Sequence, residues 1–179
     1  MKKIYLVRHA KADGQAFEAP LLGLGRQQAL DLKRFFRNKP IDRILSSPFT
    51  RAVQTIEPLA LSLGIPVEID DRLSERVFSP KEMENWKELL EQTFRDMDFC
   101  LEGGETNNSG LARVESLIKD LLASPEESVI LVSHGNLSTL ILHYIDSKYG
   151  FHDLMAMTNP DVFKITYSDA EKKIERIWS

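Results

Sequence analysis

The sequence holds a single cysteine, Cys100, in 179 residues. A lone thiol excludes an internal disulfide and any Cys-x-x-Cys zinc or redox pair. Long apolar runs are missing too: no stretch approaches the ~18 residues of a membrane span. The apolar run near the N-terminus, Ile4-Tyr5-Leu6-Val7, passes straight into Arg8-His9 and is too short for a secretory signal. Neither sign of charge dominates. The 23 Lys and Arg against 27 Asp and Glu leave −4 with neutral histidines, which argues against a nucleic-acid binder built on broad basic patches. With 42% apolar and 28% charged residues, and only 9 Gly and 8 Pro, general disorder and collagen-like repeats are excluded. No internal repeat, linker or low-complexity tract is present. What remains suits one compact domain over residues 1–179, expected in the cytoplasm with neither membrane nor nucleic acid as partner. Such a chain buries roughly 70% of its extended-chain surface and needs no staple to hold a core.

Short β-branched runs at Ile4–Val7, Ile44-Leu45 and Val129–Val132 have the pattern of buried parallel strands, with Val67–Ile69 a weaker case. Helical stripes lie between them. Ala29, Leu32 and Phe36 form one, and Val53, Ile56, Ala60 and Leu63 a second that stops at Gly64 and Pro66. Leu111, Val114, Ile118 and Leu121 make a third; Leu137, Leu140, Ile141 and Tyr144 make a fourth. Alternating strands and helices predict an α/β three-layer sandwich with a mostly parallel central sheet and helices on both faces. In the tail, 161–167 and 173–178 flank Ser168-Asp169-Ala170, the pattern of a late hairpin.

Residues 71–105 interrupt the alternation. They carry 5 basic and 10 acidic residues, against 18 and 17 elsewhere. Ser79-Pro80-Lys81-Glu82 reads as a capping box, followed by an apolar stripe of Met83, Trp86, Leu90, Phe94 and Met97. The expectation is a mostly helical insertion over the C-terminal ends of the strands. Its stripe faces either its own core, as packing or lid lining, or a second subunit, which leaves a homodimer open.

Open α/β sheets bind ligands beyond the carboxyl ends of their strands. Three predicted ends carry matching polar groups: Arg8-His9-Ala10, Ser46-Ser47-Pro48 to Arg51, and Ser133-His134-Gly135-Asn136. The last two open helices, with Ser47 expected at N-cap and Pro48 at N1. Helix starts aim free N–H groups and partial positive charge into the same crevice. Taken singly, Arg8 and Arg51 read as strand-end or surface charges and His9 as a packed core histidine. Taken jointly, Arg8, His9, Arg51 and His134 describe a site for a compact multiply charged anion such as phosphate. No metal or other cofactor is implied, since no His-x-x-x-His or carboxylate pair accompanies either histidine. His143 reads as packing or surface, and His152 is uninformative.

These residues resemble the histidine phosphatase superfamily, also called phosphoglycerate mutase-like. Arg8-His9-Ala10 is similar to its opening Arg-His-Gly, and Gly25-Arg26-Gln27-Gln28-Ala29 to its Gly-x-x-Gln-Ala helix start. Ser46-Ser47-Pro48 through Arg51-Ala52-Val53-Gln54-Thr55 resembles its Ser-Ser-x-x-x-Arg-x-x-Gln-Thr block. Leu73-Ser74-Glu75, Gly103-Gly104-Glu105-Thr106 and Ser133-His134-Gly135 follow in the family's order.

The resemblance implies a metal-independent phosphomonoester phosphatase acting on a small phosphorylated metabolite. His9 would be the nucleophile forming a phosphohistidine, with Arg8, Arg51 and His134 binding the phosphoryl group. Glu75 would be the general acid and base; only the resemblance singles it out among ten acids of its segment. A protein-phosphohistidine phosphatase, a phosphoglycerate-mutase-type phosphotransferase and a phosphate-binding scaffold on the same fold are the alternatives. Ala10 and Leu22 depart from the usual Gly and from a common Thr or Ser. Lys11 either meets a second anionic group on the substrate or is a solvated loop residue.

Overall fold

The computed structural model describes residues 1–79 and 83–179. Its centre is β4 (Ser128–Ser133), a Val/Ile/Leu strand buried at all six positions. β1 (Lys2–Arg8) and β2 (Arg43–Ser46) pair with it in parallel from either side. β3 (Val67–Ile69) extends the parallel run beyond β2. On the other side β5 (Asp161–Tyr167) pairs antiparallel with β1, and β6 (Lys172–Arg176) antiparallel with β5. The order β3-β2-β4-β1-β5-β6 is the parallel core and late hairpin expected from the sequence.

Successive strand residues point to opposite faces, and that alternation divides the core in two. Ile4, Leu6, Leu45, Val129 and Leu131 pack with α4 (Asn107–Ala123) and α5 (Gly135–Ile145). Tyr5, Val7, Ile44, Ile130 and Val132 pack with α1 (Gly23–Phe35) and α2 (Thr50–Leu63) on the other face. Helices thus cover both faces of a three-layer α/β sandwich. The β1–α1–β2 crossover steps over one strand position, later filled by β4. The register then brings three strand ends side by side: Arg8 opposite Ser133, and Ser46 opposite Val132. Such a switch point is where open sheets form a binding crevice.

The structure corrects several local expectations. The stretch between β3 and α4 is less helical than its stripe suggests. Among the described residues it holds a short 3-10 turn, Asp71–Leu73, and one helix, α3 (Trp86–Arg95). The proposed cap at 79–82 falls largely outside the described residues, and α3 begins after Asn85 without a side-chain cap. Leu90 is buried and Phe94 packs on the main core, whereas Met83 and Trp86 are exposed. The segment around His152, on which the sequence is uninformative, contains α6 (Phe151–Ala156), with His152 on its exposed side. α2 starts at Thr50 after Phe49, not at Pro48 after Ser47. Phe49 is extended (φ −63°, ψ 137°), so the helical turn cannot begin before Thr50.

Candidate active site

Strand β1 delivers Arg8 and His9 to the crevice. The His9 ring is held by two bonds that agree on its tautomer. A carbonyl can only accept, so the 2.7 Å contact between Nδ1 and the Ala10 oxygen places the proton on Nδ1. Nε2 then carries the lone pair, and it accepts from Arg51 Nε–H at 3.2 Å. Burial pushes the His9 pKa down to about 4, with the Arg51 and Arg8 charges adding to it against the Ala10 bond. The ring is therefore neutral at pH 7, with its basic nitrogen facing a guanidinium. Asn159 Nδ2 donates to the His9 carbonyl at 3.0 Å and steadies the residue from behind.

His134, the N-cap of α5, packs edge-on against His9 with ring centroids 5.1 Å apart. Its Nε2 lies 2.8 Å from Ser47 Oγ. That oxygen already accepts from Phe49 N–H at 3.2 Å, so its own proton is available to donate to Nε2. This leaves the His134 proton on Nδ1, which is buried and has no partner among the described residues. Burial, then the charge that would develop on His9 and the nearby guanidiniums, holds the His134 pKa well below the usual histidine range. Arg8 Nε is a second buried donor without a described partner, although another of its nitrogens reaches the Met157 carbonyl at 3.3 Å. Two cations, two neutral imidazoles and two unspent donors make the crevice a receptor for a compact anion.

Arg51 is fully buried in the first turn of α2. Its Nη1 donates to the carbonyls of Gln15 (3.2 Å) and Ala16 (2.9 Å), and its guanidinium lies 4.9 Å from the Phe49 ring centre. The glutamine motifs hold the loop that supplies those carbonyls. Gln28 accepts from Lys11 N–H, Gln54 from Leu21 N–H, and Thr55 from Ala10 N–H, at 2.8–2.9 Å. The Ala10 methyl packs with Leu21 and Ala29 in a small buried cluster, so the departure from glycine fills core and leaves the crevice unobstructed. Leu22 caps α1 without a side-chain bond. Lys11 is exposed.

Glu75 stands where helix α5 begins. Its Oε1 accepts from Leu137 N–H and Arg76 N–H, each at 2.9 Å, and Oε2 from Asn136 N–H at 3.1 Å. The helix start expected to offer free N–H groups to the anion has thus given two of them to this carboxylate. At α2 the Thr50 N–H is likewise committed, to the Phe17 carbonyl at 3.1 Å. Positive charge in the crevice comes chiefly from Arg8 and Arg51, and Glu75 is the acid whose charge acts on both. Ser47 as the partner of His134, and Met157 and Asn159 behind Arg8 and His9, were missed by sequence reasoning. For the last two, the only signal is the β5 register, which sets Asp161 opposite Arg8. His143, expected in packing or on the surface, is half-buried and donates from Nδ1 to the Tyr149 carbonyl at 2.7 Å.

A family model described as the histidine phosphatase superfamily (branch 1) matches residues 4–179. The chain belongs to that superfamily. Among curated relatives of this histidine phosphatase is "Putative phosphoserine phosphatase 2" of Hydrogenobacter thermophilus, 30% identical over 150 residues, covering 75% of this chain and 74% of the relative. "Probable phosphoglycerate mutase GpmB" of Escherichia fergusonii is 29% identical over 153 residues, covering 75% and 70%. In fold, the histidine phosphatase is similar to a mycobacterial glucosyl-3-phosphoglycerate phosphatase in complex with VO3. That likeness has a TM-score of 0.80 at 22% identity, over 98% of each chain.

Proposed function

We propose that this histidine phosphatase hydrolyses the phosphomonoester of a small metabolite through a phosphohistidine on His9. The observation that carries the reading is the His9 tautomer. Its Nδ1–H is tied to its own backbone, and its lone pair on Nε2 faces Arg51 in a crevice shared with Arg8 and His134. A phosphoryl group entering there draws Arg51 Nε–H onto its oxygens and frees Nε2 for attack. The Nε2–P bond forms as the ester P–O bond breaks, with the guanidiniums and His134 Nδ1–H compensating charge on the equatorial oxygens.

Glu75 is the acid of this scheme. Its carboxylate takes a proton from the entering phosphate monoanion and passes it to the departing ester oxygen, then takes one from the water whose oxygen displaces His9 from phosphorus and returns it with the product phosphate. The products are alcohol and inorganic phosphate, and the enzyme returns to its starting protonation. Arg8 and Arg51 supply the charge compensation a divalent ion gives in other phosphoryl transfers, so no metal is required. The kinship with proteins named for phosphoserine and phosphoglycerate supports a small, carboxylate-bearing leaving group. An enzyme built this way works in the cytoplasm, where such metabolites are found.

Acid-sensitive, base-stable label on the protein after incubation with 32P-phosphoserine or 32P-phosphoglycerate is the expected result, in the presence or absence of EDTA. His9→Ala should fold, carry no label and lose all turnover. Label on a serine, turnover that needs Mg²⁺ or Zn²⁺, or an active His9→Ala protein would overturn the proposal.

A further inference from the structure

Glu75 reaches the crevice from a segment with little regular structure of its own. It follows the Asp71–Leu73 turn, and Ser74 is already extended. An acid that must meet a leaving oxygen within hydrogen-bond reach needs that segment held from outside. The holding groups come from α4 and from the Gly-Gly-Glu-Thr element before it. Arg113 Nη1 donates to the carbonyls of Arg72 (2.9 Å) and Ser74 (2.8 Å), the residues on either side of Leu73. The Leu73 carbonyl accepts from Ser133 Oγ, at the end of β4, at 2.7 Å. Three consecutive carbonyls ahead of Glu75 are thereby fixed.

Glu105 orients the arginine that does this. Its carboxylate grips Arg113 at both ends, Nη2 to Oε1 at 2.7 Å and Nε to Oε2 at 3.0 Å. Such a fork sets the plane of a guanidinium as well as its position. The Glu105 backbone then holds the other side of Glu75. Its N–H donates to the Val77 carbonyl at 2.7 Å, and its carbonyl accepts from Arg76 Nη1 at 2.9 Å. Gly104 permits that approach, because a Cβ there would lie 2.5 Å from the Phe78 carbonyl oxygen.

We propose that Glu105 and Arg113 are positioning residues for Glu75, clamping residues 72–77 so that its carboxyl meets the leaving group. The inference rests on the acid role proposed for Glu75. Neither residue need touch substrate. A merely structural pair would, when removed, slow every substrate alike or lower stability alone. A clamp for the acid slows the esters that need a proton on departure.

The test compares phosphoenzyme formation in single turnover from an aliphatic ester, phosphoserine, and from p-nitrophenyl phosphate, whose phenolate leaves without help. Glu75→Gln is the reference. Glu105→Gln and Arg113→Lys should each lose roughly 10- to 100-fold with phosphoserine and far less with the nitrophenyl ester. Added to Glu75→Gln, either change should cost nothing further with phosphoserine. Melting curves identify a variant that fails to fold, and the other variant then decides. If Glu75→Gln shows the ester contrast and the clamp variants do not, or if their losses multiply with it, the clamp is wrong. If Glu75→Gln itself treats both esters equally, the acid assignment falls and the clamp with it.

Discussion

At the scale of single residues, the crevice works by keeping two imidazoles uncharged beside two guanidiniums. That arrangement couples the site to pH. His9 titrates near 6.5 in an unfolded chain and about 4 in the fold, where burial disfavours its charged form. Between those values the unfolded state binds the extra proton. The stability associated with neutral His9 is therefore complete above pH 6.5 and is lost as pH falls through the window down to about 4. The full loss is on the order of 3 kcal/mol. Urea midpoints of the wild-type protein should drop between pH 7 and 4.5, and those of His9→Gln should drop less. Parallel slopes would contradict a depressed His9, and an NMR titration placing the ring near 6.5 would do the same.

At the scale of elements, the loop from Ala10 to Leu21 is the piece on which the anion site depends. It closes through an Ala12–Leu21 bridge, hangs from Gln28 and Gln54, and offers its carbonyls to Arg51. α1 lies so close beneath it that a Cβ on Gly25 would sit 2.0 Å from the Lys11 carbonyl oxygen. Gly25→Ala must therefore push helix and loop apart. We expect a loss of about 2–3 kcal/mol in denaturant unfolding, together with weaker inhibition by inorganic phosphate as Arg51 loses its backing. Unchanged phosphate inhibition in the folded variant would show that the loop does not set Arg51. The strands, the four helical stripes and the convergence of Arg8, His9, Arg51 and His134 were legible in the sequence, because each is a local pattern or follows directly from strand order. Contacts joining distant segments were not. Ser47 has every local mark of a helix cap, yet Phe49 is extended and the helix starts at Thr50, while the Ser47 hydroxyl proton goes to His134, far along the chain. Glu75 is one acid among many until the fold sets it against α5. The apolar stripe at 83–97 overstated the helix, which spans only Trp86–Arg95: Met83 and Trp86, at its start, are exposed.

At the scale of the whole molecule, the late hairpin joins the first strand through the β1–β5 ladder and is closed on itself by one buried carboxylate. Asp161, fully buried, accepts from Arg176 Nε at 3.0 Å and Nη2 at 2.8 Å, and from the backbone of Thr158 and Val162. It also lies opposite Arg8 across the β1–β5 register. Arg176→Met removes two charge-assisted bonds and should cost about 2 kcal/mol in urea unfolding. A change below a few tenths of a kcal/mol would mean that the backbone donors alone satisfy Asp161.

The slot that β4 fills has a further effect, on how the protein comes into being. β1 is made before β2 and β3, but its sheet partners are β4 and β5, and its nearest partner in sequence begins at Ser128. β2 and β3 can pair early; β1 cannot join them, because the place between β1 and β2 belongs to a strand not yet made. Until β4 is made the nascent chain carries an apolar strand with bare edges, the kind of segment that recruits chaperones or sticks to its neighbours. Sheet closure and assembly of the crevice are then one late event, driven by contacts of high sequence separation and correspondingly slow. A chain interrupted before Ser128 has no nascent version of the site, only its scattered parts.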